Sequence, residues 1–173
     1  MRKILTICNY LFFGLLFVAL TSCSNTSTII ADKIGKNIKS LKAKAEKGNA
    51  KAQFELGLCY ADGYGVKKDD AEAVKWFRRA AEQGFAMAQY GLGLCYYNGE
   101  GVKEDKAEAV KWFRKAAKQG DAMAQYSLGL CYHNGEGVKE DKAEAVKWLR
   151  KAAEQGHAKA KEILQQIENE KSR

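Results

Sequence analysis

Apolar residues of this chain fall at helical spacing in two blocks that alternate and then recur. In the stretch AMAQYGLGLCYY, Ala88, Leu92, Cys95 and Tyr96 stand at i, i+4, i+7 and i+8, which places them on one face of a helix, helix A. The polar stretch NGEGVKE follows, and its two glycines suit a turn that needs positive φ. In the second block, helix B, Val110, Phe113 and Ala117 form one stripe and Ala109, Trp112 and Ala116 a second beside it. An apolar face that broad is wide enough to pack against both its own helix A and the next unit. Helix B opens on an aspartate with a glutamate three residues on: Asp69 with Glu72, Asp105 with Glu108, Asp141 with Glu144. This is the spacing of a capping box, in which each side chain satisfies an otherwise orphan backbone amide. The glycine after Gln119 is placed to end the helix in a left-handed cap.

The pair of blocks repeats with a period of 36 residues, with Gly48, Gly84, Gly120 and Gly156 at the joints, giving units 48–83, 84–119 and 120–155. The second and third units differ at only five positions: Phe85/Asp121, Gly91/Ser127, Tyr97/His133, Phe113/Leu149 and Lys118/Glu154. Periods of this length signal a helical solenoid, whose inner units expose apolar surface on both sides and therefore need closed ends. Ile34, Ile38, Leu41 and Ala45 predict a leading helix over 34–47 in the place of a helix B. Ala160 and Leu164 occupy the helix A positions of Ala124 and Leu128, and the sequence then turns polar, which predicts a closing helix within 156–173. The expected fold is all-α, an α-solenoid of antiparallel helix pairs with about eight helices. Composition agrees, since the chain has no proline and is rich in the best helix formers.

The N-terminus follows a different pattern. Arg2 and Lys3 precede an apolar run from Ile4 to Leu20, closed by Leu20-Thr21-Ser22-Cys23, which predicts an export signal over 1–22. The run is shorter than a membrane span and is interrupted by Thr6 and Asn9. Residues 24–33, SNTSTIIADK, are small and polar, and a flexible tether is expected over 23–33. Removing the signal takes Arg2 and Lys3 from a formal charge of +8 and leaves +6, basic but well mixed. A basic ridge on helix B (Lys75, Arg78, Arg79; Lys111, Arg114, Lys115; Lys147, Arg150, Lys151) offers charge-driven attachment to anionic lipid or envelope polymer as one reading. A glutamate three residues before the first lysine of each set explains much of that pattern locally. The export signal argues against nucleic acid.

LGLCY occurs three times, so Cys59, Cys95 and Cys131 are identically placed. Export would expose them to an oxidising compartment. Repeats spaced by helix packing, roughly 8 to 10 Å, hold equivalent Cα atoms beyond the ~7 Å limit for a disulfide. Buried apolar packing is therefore the expected role of these cysteines. His133 and His157 have no metal-ligand spacing, a Ser-x-x-Lys nucleophile motif is lacking, and no catalytic residue, metal or cofactor is expected.

The helix A residues outside the packing set are Lys51, Met87 and Met123; Phe54, Tyr90 and Tyr126; Glu55, Gly91 and Ser127; Ala61, Tyr97 and His133. Met87, Tyr90, Tyr97, Met123, Tyr126 and His133 are the candidate partner-binding residues, because tyrosine and methionine suit adaptable contact with a protein surface. Two alternatives stand beside this: Phe54, Tyr90 and Tyr126 fill the groove between neighbouring helices A, and His133 is a solvated helix-end residue.

The pattern Ala-Gln-x-x-Leu-Gly-x-x-Tyr, Asn-Gly-x-Gly-Val, Asp-x-x-x-Ala-Val-x-Trp and Ala-Ala-x-x-Gly is similar to the Sel-one-like repeat, a relative of the tetratricopeptide repeat. Departures are Lys67, Lys103 and Lys139 where proline is common, and Asp62 in place of asparagine. The resemblance implies a right-handed superhelix that holds a protein or peptide partner on a concave surface lined by helices A. Cysteine-rich bacterial members have been associated with β-lactam binding or hydrolysis, an alternative the residues here do not support. Disulfide-bearing members pair a cysteine of helix B with one early in the next helix A, where this chain has Ala80 or Ala81 and Ala88. The leader resembles that of a bacterial lipoprotein, which implies cleavage before Cys23 and lipidation of its sulfur. Ser24 at the next position then favours outer-membrane or surface display. The whole expectation is a monomeric, lipid-anchored scaffold of the cell envelope.

Overall fold

The computed structural model describes residues 25–171, which form eight helices. In order they are α1 (Asn25–Glu46), α2 (Ala50–Asp62), α3 (Asp70–Glu82), α4 (Ala86–Asn98), α5 (Lys106–Lys118), α6 (Ala122–Asn134), α7 (Lys142–Glu154) and α8 (Ala158–Lys171). Each helix packs on the next, so α2/α3, α4/α5 and α6/α7 form three hairpins, with α1 against α2 and α8 against α7 at the ends. Residues 1–22 and Cys23 lie outside the described residues, and with them the export signal and the lipidation site. Among the described residues no helix is long and apolar enough to cross a membrane.

Both predicted stripes of helix B are buried: Ala109, Val110, Trp112, Phe113, Ala116 and Ala117 in α5, with the same positions of α3 and most of those of α7. Helix A buries Ala88, Leu92 and Cys95. Its glycine in LGLCY is a close-approach residue, since a Cβ on Gly93 would stand 2.6 Å from the Phe113 ring. The two helices of a hairpin could not approach so closely with any larger side chain there.

The capping box forms only in half. Asp69 and Asp105 accept from the amides of Glu72 and Glu108, both at 2.9 Å, and Asp141 accepts from Glu144 at 3.0 Å. The glutamates do not return the bond. Their carboxylates hold Lys75, Lys111 and Lys147 at 2.8, 2.8 and 2.6 Å. The aspartate amides donate instead to the carbonyls of Tyr60, Tyr96 and Tyr132, at 2.8 to 2.9 Å, which pins the start of helix B to the last turn of helix A. Helix A ends in a left-handed glycine, Gly63, Gly99 or Gly135, whose amide bonds the carbonyl of the LGLCY cysteine.

The leading helix starts earlier than expected, at Asn25, so most of the stretch read as a tether is helical. No proline or glycine interrupts 25–34, and Ile30 extends the spacing of Ile34, Ile38 and Leu41 by one turn. Its C-terminal half does stand in for a helix B. Ile38 and Ala45 are buried at the positions of Val74 and Ala81, 36 residues on, and Lys42 lies 5.5 Å from the Tyr60 ring where Arg78 meets Tyr96 at 5.6 Å. A buried glutamine marks each junction in the same way: Gln53, Gln89 and Gln125 donate to the carbonyls of Ala45, Ala81 and Ala117 at 3.0 to 3.2 Å. Each then accepts from the glutamine that ends helix B of its own unit, Gln83, Gln119 or Gln155, at 2.6 to 2.8 Å. These bonds satisfy an amide that would be costly to bury alone.

Candidate functional site

The second residues of α2, α4, α6 and α8 are Lys51, Met87, Met123 and Lys159, one row across the stack, and all four are exposed. Met87 at 49% and Met123 at 39% exposure are, with Tyr64 of the first turn, the large apolar side chains most open to solvent among the described residues. One turn along, Glu55, Gly91 and Ser127 follow them.

The aromatic row behind is structural in large part. Phe54 lies 5.7 Å from Phe77 of its own hairpin and 5.4 Å from Phe85 at the start of the next. Tyr90 packs 5.8 Å from Phe113, and burial pushes its phenol pKa upward. Tyr126 stacks on His157 at 4.2 Å. All three are half-buried. They therefore fill the groove between neighbouring helices A, and only their outer edges face solvent. Leu58, Leu94 and Leu130, inside LGLCY, are also half-buried on these helices. A spacing of i+4 from the aromatic row was the sequence signal for them.

At the far end of helix A the three equivalent residues differ. Tyr97 packs 6.2 Å from Phe113, and its hydroxyl donates to the Glu136 carboxylate of the next turn. Lys106 holds the other Glu136 oxygen at 3.0 Å and lies 5.1 Å from the Tyr97 ring. The bond from Tyr97 and the one from Lys106 hold the Glu136 carboxyl below its usual range, while burial and Glu136 push the Tyr97 phenol up. His133, expected at a solvated end, is half-buried, and its Nδ1 is buried without a hydrogen-bond partner.

Cys59, Cys95 and Cys131 are free thiols, the last two buried in the apolar core. Burial pushes both buried thiols up to about 12, so they stay protonated and unreactive near neutral pH. No group of three His, Cys, Asp or Glu residues among the described residues could hold a metal. On the outer ridge the first lysine of each set is paired with its glutamate, and Arg79, Lys115 and Lys151 lie 4.5, 3.9 and 4.8 Å from the Trp76, Trp112 and Trp148 rings.

Comparison with known proteins agrees with this geometry. A profile of the Sel1 repeat matches residues 50–85, 86–121 and 122–157, the same period begun two residues later. A stretch of 43 residues is 56% identical to the secretory immunoglobulin A-binding protein EsiB of Escherichia coli, covering 25% of this chain and 9% of that one. The crystal structure of c5321, described as a protective antigen of uropathogenic Escherichia coli with an SLR fold, is similar at a TM-score of 0.67 and 59% identity, over 69% of this chain and 26% of that chain. The chain thus spans only about a quarter or less of those two proteins. A Sel1 repeat protein of Oxalobacter formigenes matches along 98% of its length and 76% of this chain, at 44% identity and a TM-score of 0.70. Cysteine rich protein B of Helicobacter pylori matches at 25% identity and a TM-score of 0.62. With three consecutive units matched and the same stacked hairpins observed, the chain belongs to the Sel1 repeat family, whose solenoids typically mediate protein–protein interactions.

Proposed function

We propose that this chain is a non-catalytic scaffold that holds a protein or peptide partner on its helix A face while anchored to a bacterial envelope membrane through lipid on Cys23. The observation that carries the binding face is the exposed pair Met87 and Met123. Two flexible, polarizable side chains stand out at equivalent positions where burial would be the ordinary fate of such residues. The outer edges of Tyr90, Tyr97 and Tyr126, with His133, border that face. The anchor rests on the charged and apolar leader and on Leu-Thr-Ser-Cys before Ser24. The basic ridge is a weaker site, since its charges are largely engaged by neighbouring glutamates and tryptophan rings. Likeness to EsiB is confined to 43 residues and supports the repeat architecture more than its immunoglobulin ligand.

A photo-cross-linking residue at 87 or 123, introduced in intact cells, is expected to capture one protein that the same residue at 75 or 111 does not. Equal capture from both faces, or none from 87 and 123, removes the assignment. Palmitate incorporation that persists in a Cys23→Ala chain removes the anchor.

A further inference from the structure

We infer that the helix A face takes an extended segment with two apolar side chains three residues apart and an acidic residue three positions beyond each. This rests on the binding face proposed above and specifies its partner. The outermost row runs Lys51, Met87, Met123, Lys159, one residue per helix A, all exposed. Neighbouring units are spaced by roughly 10 Å, the upper end of helix-packing distances. A segment in the extended polyproline II conformation rises about 3.1 Å per residue and repeats its side-chain direction every three residues, so residues three apart face the same way about one unit apart. A segment of ten residues laid across the row therefore meets the lysines at its ends and the methionines at its fourth and seventh positions.

Gly91 supports a trough beside Met87 independently. Glycine inside a helix is unfavourable, so its presence within α4 needs a reason. Packing supplies that reason at Gly57, Gly93 and Gly129, where a Cβ would stand 2.6 to 2.7 Å from the nearest side-chain atom of the facing helix. Packing does not supply it at Gly91, where a Cβ would meet only Phe54 at 3.8 Å and Phe77 at 4.0 Å, ordinary contact distances. Ser127, also small, holds the same place beside Met123. Small residues thus leave room next to the two methionines. Two acids lie near the ends: Glu55, whose carboxylate is 3.9 Å from the Lys51 amine, and Glu162, which carries its charge near Tyr126. Of the Lys51–Glu55 pair the lysine stands further out, 73% exposed against 46%, and such an exposed pair is weak enough to yield to a partner carboxylate.

The test uses the full chain in detergent and a fluorescein-labelled decapeptide with aspartates at both ends, leucines at its fourth and seventh positions, and glycine or serine elsewhere. Saturable anisotropy is expected, weakened about tenfold by Met87→Ser and about tenfold by Lys51→Glu with Lys159→Glu. A lysine-ended peptide should bind the doubly reversed variant better than the parent chain, which loss of fold could not produce. Gly91→Leu should weaken binding while the melting temperature holds. If lysine-ended and aspartate-ended peptides bind the parent equally, or leucines at the fourth and eighth positions serve as well, the inference fails. A partner cross-linked at residue 87 in cells, and captured unchanged by the Lys51→Glu, Lys159→Glu chain, sinks this inference and leaves the binding face standing.

Discussion

The two inner junctions of the stack, first unit onto second and second onto third, share several contacts but differ in the groove, where Phe54 meets Phe85 at the first and Asp121 takes the place of Phe85 at the second, and differ in charge at one rim. At both, a turn glycine is pressed onto the start of the preceding helix B: a Cβ on Gly101 would stand 2.1 Å from the Asp70 carbonyl oxygen, and one on Gly137 2.1 Å from that of Lys106. At both, an arginine donates to the hydroxyl of the next unit's tyrosine, Arg78 to Tyr96 at 2.7 Å and Arg114 to Tyr132 at 2.8 Å. In side-chain pairing they part most at the rim. Tyr97, Lys106 and Glu136 form a closed cluster across the second junction, whereas the equivalent residues of the first are Ala61, Asp70 and Glu100. There burial, and then the charge of Asp70, itself 3.5 Å from the Lys68 amine, push the Glu100 carboxyl above its usual range. Residues that fix the spacing of units cannot change without moving backbone, while residues at the rim can carry any charge the assembly tolerates.

The sharpest test of the shared part is Gly101→Ala against Gly137→Ala. Each alanine must adopt φ near 68°, at about 1 to 2 kcal/mol, and must displace a carbonyl, an overpacking of about 1 to 3 kcal/mol. A loss of about 3 kcal/mol in either chain, read from urea unfolding, is expected, equal within error at the two junctions. One glycine tolerating alanine would show that the junctions are not locked alike. Next in size is Tyr97→Ala, which removes a ring from Phe113 and a bond to a carboxylate, together about 1 to 2 kcal/mol. Building the cluster into the first junction with Ala61→Tyr and Asp70→Lys should recover up to about 1 kcal/mol. If the double variant is no more stable than the sum of its single changes, the rim cluster does not act as a unit.

Much of this was legible from the sequence because it depends on period. Helix count, buried stripes, the aspartates that open helix B and the packing role of LGLCY follow from residues repeated at 36. What spacing does not show is where a side chain goes when two partners compete for it. Glu108 sits three residues from both its cap and Lys111, and the lysine takes its carboxylate because the cap amide already has the Tyr96 carbonyl. The glutamine ladder was hidden because a glutamine beside alanines reads as polar surface, yet Gln89 is 5% exposed once its neighbours satisfy it. Tyr90 and Tyr126 could be placed on helix A but not divided between groove and surface, since that division depends on Phe113 in α5 and His157 just before α8. The early start of α1 was obscured by the polar composition of 24–33.

The smallest expected effect separates the junctions by sign. Glu136 has a folded pKa below its unfolded value, because Tyr97 and Lys106 favour the charged form. Its contribution is therefore present above the unfolded carboxyl value, about 4.3, and is lost as pH falls through the depressed folded one. Glu100 is the reverse: with its folded pKa raised, its charge costs stability at neutral pH, and the cost disappears as pH falls through the raised value and then the unfolded one. Both groups are half-buried at the rim, where solvent still screens them, so each effect should be a few tenths of a kcal/mol and at most about 1. Glu136→Gln should thus lower unfolding free energy at pH 7 with little change at pH 3. Glu100→Gln should raise it at pH 7, again with little change at pH 3. Urea titrations of the parent and both variants at the two pH values read this directly, and opposite signs at neutral pH are the necessary result. Were both substitutions to destabilise alike, the carboxylate at the first junction would be a partner like that at the second, and the rim would not distinguish them.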